Sequence, residues 1–377
     1  MEHHAFRVLA ICPGETYTRI AVYADDRPIF KQTLHHPLQH LTSFNSLAAQ
    51  EDFRKKAILE SLDQEGLNLS HLNAVVGRGG LLDPIEGGTY LVNQKMLEDL
   101  KTGRTGIHSS NLGGILAYEI GNQLNIPSYI VDPVVVDELQ ALSRISGSPL
   151  IERKSIFHAL NHKAVGRRLA RELGRSYESL NLIVIHLGVG ITIGVHQNGR
   201  VIDVNNGLNG EGPFSSERTG SLPVGDLINL CFSGKFTKEE MMKKVVSEGG
   251  LIGYLGTNDP ERIERRIQSG DQTASLIYDA MSYQIAKEIG AASTVVNGKV
   301  DGIVLTGDYG FGETFIQSIV DRVDWISDVF IVPSEDELQA LIEGALRVLK
   351  GEEEGRIYPN PPIEAPIVVP DKKTRTY

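Results

Sequence analysis

The sequence predicts an α/β protein that contains two copies of one supersecondary unit. Apolar runs typical of strands alternate with helical patterns along the 377 residues, which indicates sheets that helices cover on both faces. A strand, a glycine turn, a strand, a turn and a third strand occur in this order twice, around Gly14 and around Gly188. These glycines are 174 positions apart, and the matching Val22 and Val195 are 173 apart. The near-constant spacing favours duplication over the chance recurrence of a common β-meander.

The two copies follow the same local pattern. Their strands are predicted at residues 6–11, 20–23 and 29–33 in the first copy, and at residues 182–185, 191–195 and 201–202 in the second. Asn198-Gly199, between β-type residues, is a strong hairpin signal. A glycine turn directly after a buried strand lets backbone N–H groups approach a phosphate closely. The second copy therefore offers a candidate phosphate turn.

The rest of the chain alternates between helical and strand patterns. Helices are predicted at residues 51–66, 111–124, 151–173, 226–232, 238–246, 271–289 and 335–350, and strands at residues 74–76, 128–131, 300–305 and 329–332. Residues 351–377 contain a glutamate triplet and five prolines. This composition predicts an extended or disordered tail on the surface.

Composition argues against several classes of function. The chain has 37 basic and 48 acidic residues and a formal charge of −11, whereas a nucleic-acid binder needs a basic surface. Cys12 and Cys231 lie far apart without metal-ligand spacing, so we expect buried, unreactive thiols in a reducing compartment. The sequence shows no secretory leader pattern and no apolar run of membrane-spanning length. A cytoplasmic location without a membrane partner is expected.

Seven segments carry a close family resemblance. They are VDPVVVDEL (131–139), ERKSIFHALN (152–161), RVIDVNNGLNGEGPFSSERTGSLPVGDL (200–227), LCFSGKFTKEE (230–240), YLGTND (254–259), AMSYQIAKEIGA (280–291) and EGALRVLKGEEE (343–354). The chain resembles the butyrate kinases in these segments, and the similarity extends over about residues 6–354. Butyrate and acetate kinases belong to the actin-like ATPase superfamily. The resemblance implies duplicated ribonuclease-H-like domains around a central cleft, in agreement with the repeat.

The resemblance also implies a domain arrangement and an assembly. The first actin-like domain would comprise residues 6–133 and the C-terminal helix 335–350, because this helix crosses back to the first domain in related kinases. Residues 134–334 would form the second domain, and residues 351–377 the tail. Related kinases are homodimers or higher homo-oligomers, usually through the second domain, so a homo-oligomer is expected here.

The implied reaction is reversible phosphoryl transfer between ATP and a short-chain carboxylate, with Mg²⁺. Butyrate and ATP would give butyryl phosphate, which is an acyl phosphate, and ADP. Such chemistry depends on in-line positioning and on cations around the transferred group. Two alternatives stay open: a kinase for another short or branched-chain acid, and a catalytically impaired homologue that binds a ligand or a partner.

Four residues match catalytic positions of the family. Arg78 in GRGG and Arg218 in SERTG match arginines on the carboxylate and the γ-phosphate, a role that suits the bidentate guanidinium fork. His158 in SIFHALN matches the histidine at the transferred phosphoryl group, and Asp132 matches the carboxylate near Mg²⁺. Without the family context, the arginines would fit surface ion pairs, His158 a packed histidine, and Asp132 a turn former.

Further positions face the nucleotide or the metal. Glu337 in SEDELQAL is predicted as a second metal residue beside Asp132, although Glu335 and Asp336 are its close neighbours. The predicted nucleotide-binding residues are Gly14, Thr16, Arg19, His186, Gly188, Gly190, Gly307 and Asp308.

All three nucleotide-facing elements depart from the family pattern. The first turn reads CPGETYTR where the family has NPGSTSTK, so that Glu15 and Tyr17 replace serines. Val189 replaces a glycine of the second turn, and Asp308 replaces one in the adenosine-side motif. A carboxylate about 4 Å from a phosphate charge costs roughly 4 kcal/mol at an effective dielectric near 20. Glu15 is therefore expected either to turn away and pair with Arg19, or to impair phosphate binding.

Overall fold

A computed structural model of the chain describes residues 5–307, 310–333 and 336–360. The helices in these ranges are α1 (Leu38–Leu41), α2 (Glu51–Gln64), α3 (Gln94–Thr102), α4 (Asn111–Leu124), α5 (Ala141–Arg144), α6 (Ala159–Glu172), α7 (Val224–Cys231), α8 (Lys238–Val246), α9 (Gly250–Leu255), α10 (Pro260–Gln268), α11 (Gln272–Val295), α12 (Glu313–Val323) and α13 (Glu337–Leu349). The strands are β1 (Arg7–Pro13), β2 (Tyr17–Ala24), β3 (Arg27–His35), β4 (Ala74–Arg78), β5 (Thr89–Leu91), β6 (Ser128–Val131), β7 (Leu182–Leu187), β8 (Thr192–Gln197), β9 (Arg200–Val204), β10 (Gly302–Gly307), β11 (Val329–Ile331) and β12 (Arg356–Ile357). Within the described ranges, none of these helices has the length and apolar character needed to cross a membrane.

The described residues divide into two compact units. Unit 1 contains residues 5–137, 158–164 and 336–360, and unit 2 contains residues 138–157, 165–307 and 310–333. In this division unit 1 extends to residue 137 and also includes residues 158–164. Leu160 and Ala164, on the first turns of α6, pack into a core of unit 1 together with residues of β1 and α13.

Both units contain the same strand order. The sheet of unit 1 runs β12-β5-β6-β4-β1-β2-β3 and that of unit 2 runs β11-β10-β7-β8-β9, within the ranges that the structure describes. In each unit the first three strands form an antiparallel meander. The first strand also pairs in parallel with a later strand, and that strand with the next, as β1-β4-β6 and β7-β10-β11. The predicted duplication is confirmed.

The register of the two meanders agrees in detail. Leu9 pairs with Val22 between β1 and β2, and Ile183 pairs with Val195 between β7 and β8. The strand positions therefore reproduce the spacings of 174 and 173 that the sequence shows. The third strand begins its pairing after an irregularity that follows Val22 in unit 1 and Val195 in unit 2. A β-bulge at the same place in both copies is a feature that independent meanders would not share.

Each sheet has a core on both of its faces. Leu9 and Ile11 of β1 pack with residues of α2, α3 and α4, whereas Val8 and Ala10 pack with residues of α13. Strand β7 alternates in the same way between a core with α11 and α12 and a second core with the later turns of α6. The side-chain period of two in a strand explains why these runs are apolar throughout: both faces are covered.

The predicted helix at residues 151–173 is wrong in its first two turns. Helix α6 begins at Ala159, and the preceding segment is tied to unit 2 by an antiparallel bridge between Glu152 and Ile145. In addition, Arg153 donates from Nη1 to the carbonyl oxygen of Ser143 (2.7 Å) and to Oδ1 of Asp203 (2.9 Å). These tertiary contacts override the amphipathic pattern of the segment.

The predicted surface tail differs from the structure at residues 351–360. Strand β12 pairs in parallel with β5, and the following Tyr358 is only 1% exposed. The Tyr358 hydroxyl donates to Oδ2 of the buried Asp99 at 2.7 Å. An aromatic ring and a satisfied hydroxyl therefore hold this segment in unit 1, despite its charged and proline-rich composition. Residues 361–377 lie outside the described residues.

Candidate functional site: two glycine turns and a carboxylate cluster

The glycine turn between β1 and β2 is held from inside by a buried arginine. Arg54 of α2 is fully buried, and its Nη1 donates to the carbonyl oxygens of Gly14 (2.9 Å) and Tyr17 (2.8 Å). Its Nη2 donates to the carbonyl oxygen of Glu15 at 2.8 Å. The amide of Gly14 closes the turn by donating to the same Tyr17 oxygen at 2.9 Å. The turn therefore directs three of its carbonyl oxygens towards one cation.

The remaining donors of Arg54 extend this network. Its Nε and Nη2 donate to Oε1 of Gln50 at 3.0 and 2.9 Å, and Nη1 also lies 3.1 Å from Oγ1 of Thr18. Thr18 Oγ1 is 2.8 Å from Nε2 of His36. A neutral imidazole with its proton on Nδ1 would accept a hydrogen bond from this hydroxyl, whose oxygen also accepts from Arg54. Burial, and then the charge of Arg54, lower the pKa of His36 to about 4, which favours the same neutral ring.

Sequence reasoning missed Arg54. Its stretch, EDFRKKAI, places it beside two lysines on an ordinary polar helix, and no local signal separates it from them. Burial lowers the pKa of Arg54 to about 10, and none of the carboxylates in the described ranges pairs with it to offset the loss of hydration.

A tyrosine ring covers the glycine of the first turn. A methyl group added at Gly14 would overlap the ring of Tyr17, so this ring covers one side of a glycine that the resemblance assigns to the nucleotide. Glu15 and Thr16 are both exposed. Arg19 forms an ion pair with Glu337 and not with Glu15, so the expected pairing of Glu15 with Arg19 is wrong.

Replacing Tyr17 by serine is expected to tighten ADP binding by about tenfold. The ring must leave Gly14 before a phosphate can approach, and the apparent affinity falls with the fraction of molecules in which it has left. Titration calorimetry with Mg²⁺-ADP measures the change. Tyr283→Ser, at a half-exposed position on α11, is the matched control and should bind as the unmodified protein does. Equal affinities for all three proteins would contradict an obstructing ring.

Unit 1 gathers two arginines and a histidine on one carboxylate. Glu337, the first residue of α13, pairs through Oε2 with Nη2 of Arg19 on β2. Its Oε1 lies 3.2 Å from Nη2 of Arg78, at the end of β4, and 3.3 Å from Nε2 of His158, directly before α6. Cys12, at the end of β1, donates from Sγ to Oε2 at 3.2 Å. The predicted residues Arg19, Arg78, His158 and Glu337 are thus brought together.

The cluster fixes the ionisation of its members. Although burial opposes it, the hydrogen bond of His158 and the charges of Arg78 and Arg19 hold the pKa of Glu337 well below its usual range. Burial and the nearby carboxylate raise the pKa of Cys12 to about 11. Cys12 is therefore a buried thiol as predicted, whereas Cys231 is exposed and that prediction is wrong.

Close backbone packing positions the cluster. A Cβ at Gly77 of β4 would overlap the backbone of Gly113 on α4, so only glycine lets this helix approach the strand that ends at Arg78. On the other face of the sheet, a Cβ at Gly344 of α13 would lie 2.5 Å from Cγ2 of Val131 on β6. This approach sets the position of α13, whose first residue is Glu337.

The residues predicted for Mg²⁺ do not form a metal centre. Asp132 is 2% exposed with a φ of +38°, and its Oδ1 accepts from the Gly88 amide at 2.7 Å, which is a turn-forming role. Both oxygens of Glu337 already contact cations, and an added Mg²⁺ would be repelled by them. Among the described residues, no group of three or more histidine, cysteine, aspartate and glutamate side chains could hold a metal ion. Asp336 caps α13 and pairs with Lys31, whereas Glu335 lies outside the described residues.

In unit 2, an arginine lies against the second glycine turn. Arg218 Nη1 donates to the carbonyl oxygen of Gly207, and its guanidinium occupies the space that a side chain at Gly190 would need. Arg218 Nε is buried and has no hydrogen-bond partner among the described residues. Burial lowers the pKa of Arg218, because its charge is poorly compensated. Val189, between the two glycines of the turn, is 42% exposed, and the hydroxyl of Ser215 donates to its carbonyl oxygen.

The neighbouring strand ends complete this region of unit 2. His186 of β7 pairs in register with Thr306 of β10, and a Cβ at Gly188 would lie 2.9 Å from His186 Nε2. The buried Thr306 Oγ1 has no hydrogen-bond partner among the residues described. Gly307 has a φ of +132° and packs directly on the backbone of β7, a conformation that favours glycine. Thr306 thus places an unfilled polar atom at the carboxyl end of a parallel strand, the end at which open α/β sheets bind ligands. Asp308 lies outside the described residues.

The fold and these strand-end turns define a duplicated α/β protein of the actin-like ATPase architecture. Residues 140–326 match the model of the acetokinase family. Acetate kinase from Porphyromonas gingivalis is similar in structure, with a TM-score of 0.74 and 18% identity over 92% of this chain and 100% of that chain. Acetate kinase from Entamoeba histolytica gives a TM-score of 0.72 and 16% identity over 91% and 100% of the two chains. A propionate kinase from Francisella tularensis gives a TM-score of 0.68 and 17% identity over 90% of this chain and 98% of that chain. At these identities the similarity shows the fold.

Proposed function

We propose that the protein is a carboxylate kinase that transfers a phosphoryl group reversibly between ATP and a short-chain acid, with butyrate as the acid. The observation that carries this proposal is the convergence of Arg19, Arg78 and His158 on one carboxylate, which makes unit 1 a built oxyanion site. The match of residues 140–326 to the acetokinase family supports the same reaction class.

Each group of residues has a role in this proposal. Arg78 and His158 would bind the acid or its acyl phosphate, since charge-assisted donors suit both anions. Arg218 would stabilise charge on the phosphoryl group. The nucleotide phosphates would bind at the turn that contains His186, together with Gly188, Gly190 and Gly307. Mg²⁺ would be carried mainly by the nucleotide phosphates, because this ion usually binds through substrate phosphates together with only one or two carboxylates.

Trapping of the product tests the proposal. Purified protein with ATP, Mg²⁺ and each straight or branched acid from two to six carbons would be incubated with hydroxylamine, which converts an acyl phosphate into a coloured hydroxamate. We expect product with butyrate. Failure with every acid, together with no ATP binding by calorimetry, would exclude a kinase.

A second candidate function is a catalytically impaired homologue that binds a ligand or a partner. Two observations favour it: the ring of Tyr17 covers Gly14, and Glu337 occupies the oxyanion donors. A catalytically impaired homologue would bind nucleotide or phosphate but would form no hydroxamate in the trapping assay. The trapping assay also distinguishes a butyrate kinase from a kinase for another short or branched-chain acid. The acid that gives the highest kcat/KM is the preferred substrate.

We propose further that the protein is a homodimer through the surface around α7. This helix and its flanks expose Leu222, Val224, Ile228 and Phe232, the last at 88%. Contiguous apolar surface of this kind is typical of an interface. Multi-angle light scattering is expected to give twice the mass of the chain, and Phe232→Asp to shift the mass towards one chain. Leu150→Asp, at a position that is 92% exposed elsewhere in unit 2, is the control. A monomeric unmodified protein would contradict the proposal.

A further inference from the structure

The carboxylate of Glu337 fills donors that an incoming anion would need. One of its oxygens pairs with Arg19, and the other lies 3.2 Å from Arg78 and 3.3 Å from His158. An anion that approaches Arg78 therefore meets a carboxylate that belongs to the chain itself. Glu337 is held as a bound carboxylate ligand would be, because Arg19, Arg78 and His158 reach it from different parts of the chain.

The donors of this cluster are more accessible than the carboxylate they hold. The side chains of Arg19, Arg78 and His158 are 34%, 32% and 26% exposed, whereas Glu337 is 13% exposed. Arg19 Nε is buried and has no hydrogen-bond partner among the described residues, so Glu337 leaves one donor of the cluster unfilled. The cluster can therefore be reached from solvent through the side chains of its donors.

Charge balance points to the anion that would replace Glu337. With the glutamate withdrawn, the two guanidinium groups present two positive charges, which match a phosphoryl dianion. With the glutamate in place, one of these charges is cancelled and an incoming phosphate is repelled at short range. Withdrawal needs only a side-chain rotation, because Glu337 is the first residue of α13 and the helix itself is packed through Gly344.

We propose that Glu337 is an internal ligand of this anion site, and that a phosphate or carboxylate must displace it to bind. The proposal rests on the proposed function only in taking Arg78 and His158 as anion-binding residues. Its consequence is thermodynamic: the apparent dissociation constant equals the intrinsic one divided by the fraction of molecules in which the site is open. Glu337 thus sets the concentration at which the site fills.

Anion titration of a charge-neutral variant tests this role. Inorganic phosphate and butyrate would be titrated separately by calorimetry, without nucleotide or Mg²⁺, into Glu337→Gln and into the parent. Both proteins would carry Arg218→Ala, so that phosphate bound at the second glycine turn does not contribute. Replacing a charge-assisted contact predicts binding that is tighter by about 10- to 100-fold in the glutamine variant. Asp336→Asn, which removes a neighbouring charge but can still cap α13, should bind as the parent does.

The outcomes separate this proposal from the proposed function. Tighter binding in Glu337→Gln alone supports the internal ligand, even if the protein forms no hydroxamate. Unchanged or weaker anion binding by Glu337→Gln overturns it. The phosphate titration would also be repeated with Mg²⁺. If Glu337→Gln loses phosphate binding only in that titration, Glu337 is a metal ligand and the proposal is wrong. If Glu337→Gln does not fold, as judged by thermal unfolding, Glu337→Asp takes its place. The shorter side chain cannot span all three donors, and an intermediate gain in affinity is expected.

Discussion

Replacing Arg54 by methionine is expected to lower the free energy of unfolding by about 3–5 kcal/mol. Arg54 is fully buried and donates to three carbonyl oxygens of the first glycine turn, to Gln50 Oε1 and to Thr18 Oγ1. Methionine fills a similar volume without a donor, and each acceptor left buried and unpaired costs about 1–3 kcal/mol.

One effect acts in the opposite direction. Burial of a guanidinium without a carboxylate partner is costly, as the lowered pKa of Arg54 shows, and methionine removes that cost. The unpaired acceptors nevertheless outweigh this gain, so the free energy of unfolding is expected to fall. Five oxygen atoms are arranged around one cation, and most of them belong to backbone that cannot turn towards water without opening the turn. Loss of Arg54 therefore destabilises both the turn and unit 1.

Urea unfolding measures the change. Lys56→Met is the matched control, because Lys56 lies on the same helix, carries the same charge and is 76% exposed. It should change the free energy of unfolding by less than about 0.5 kcal/mol. Arg54→Lys keeps the charge but not the planar fork, so an intermediate loss is expected. A loss below about 1 kcal/mol for Arg54→Met would show that the turn is held by other contacts.

The repeat and its register could be predicted from the sequence because they depend on local patterns. The glycine turns, the period of apolar residues and the constant spacing can all be read from the sequence. In the structure, the bulges that follow Val22 and Val195 confirm the duplication. Of the unit 1 cluster, His158 lies within a family segment, whereas Arg19, Arg78 and Glu337 are predicted from shorter motifs outside these segments. What the resemblance could not supply was the arrangement of those residues in this chain.

Contacts between distant positions account for the errors. Arg19 and Glu337 are 318 residues apart, so the local alternation of charges favoured Glu15 as the partner of Arg19. Arg54 meets the glycine turn only because α2 packs under β1 and β2. Composition predicts a surface tail at residues 351–360, but the pairing of β12 with β5 and the buried ring of Tyr358 anchor this segment. In each case, burial of a specific side chain outweighed the local signal.

Replacing Arg218 by alanine is expected to lower kcat by about 10²–10³, with a smaller change in KM. The guanidinium is half-buried and held by the carbonyl oxygen of Gly207, and its buried Nε has no partner among the described residues. A guanidinium that is fixed in advance stabilises charge that develops on a phosphoryl group without further reorganisation. Removal of one such donor costs rate of this order.

Two variants separate a role in charge stabilisation from a role in holding the turn. Arg218→Lys keeps the positive charge but lacks the planar fork with which arginine can contact Gly207 and a second group together. Its kcat should therefore lie between those of the parent and of Arg218→Ala. Arg262→Ala, at an exposed position on α10, should retain the parent rate. If Arg218→Ala unfolds at the parent urea concentration and still loses rate, the guanidinium acts on the reacting group. A near-unchanged kcat would contradict that role, since the unpaired donor would then have no anion to meet.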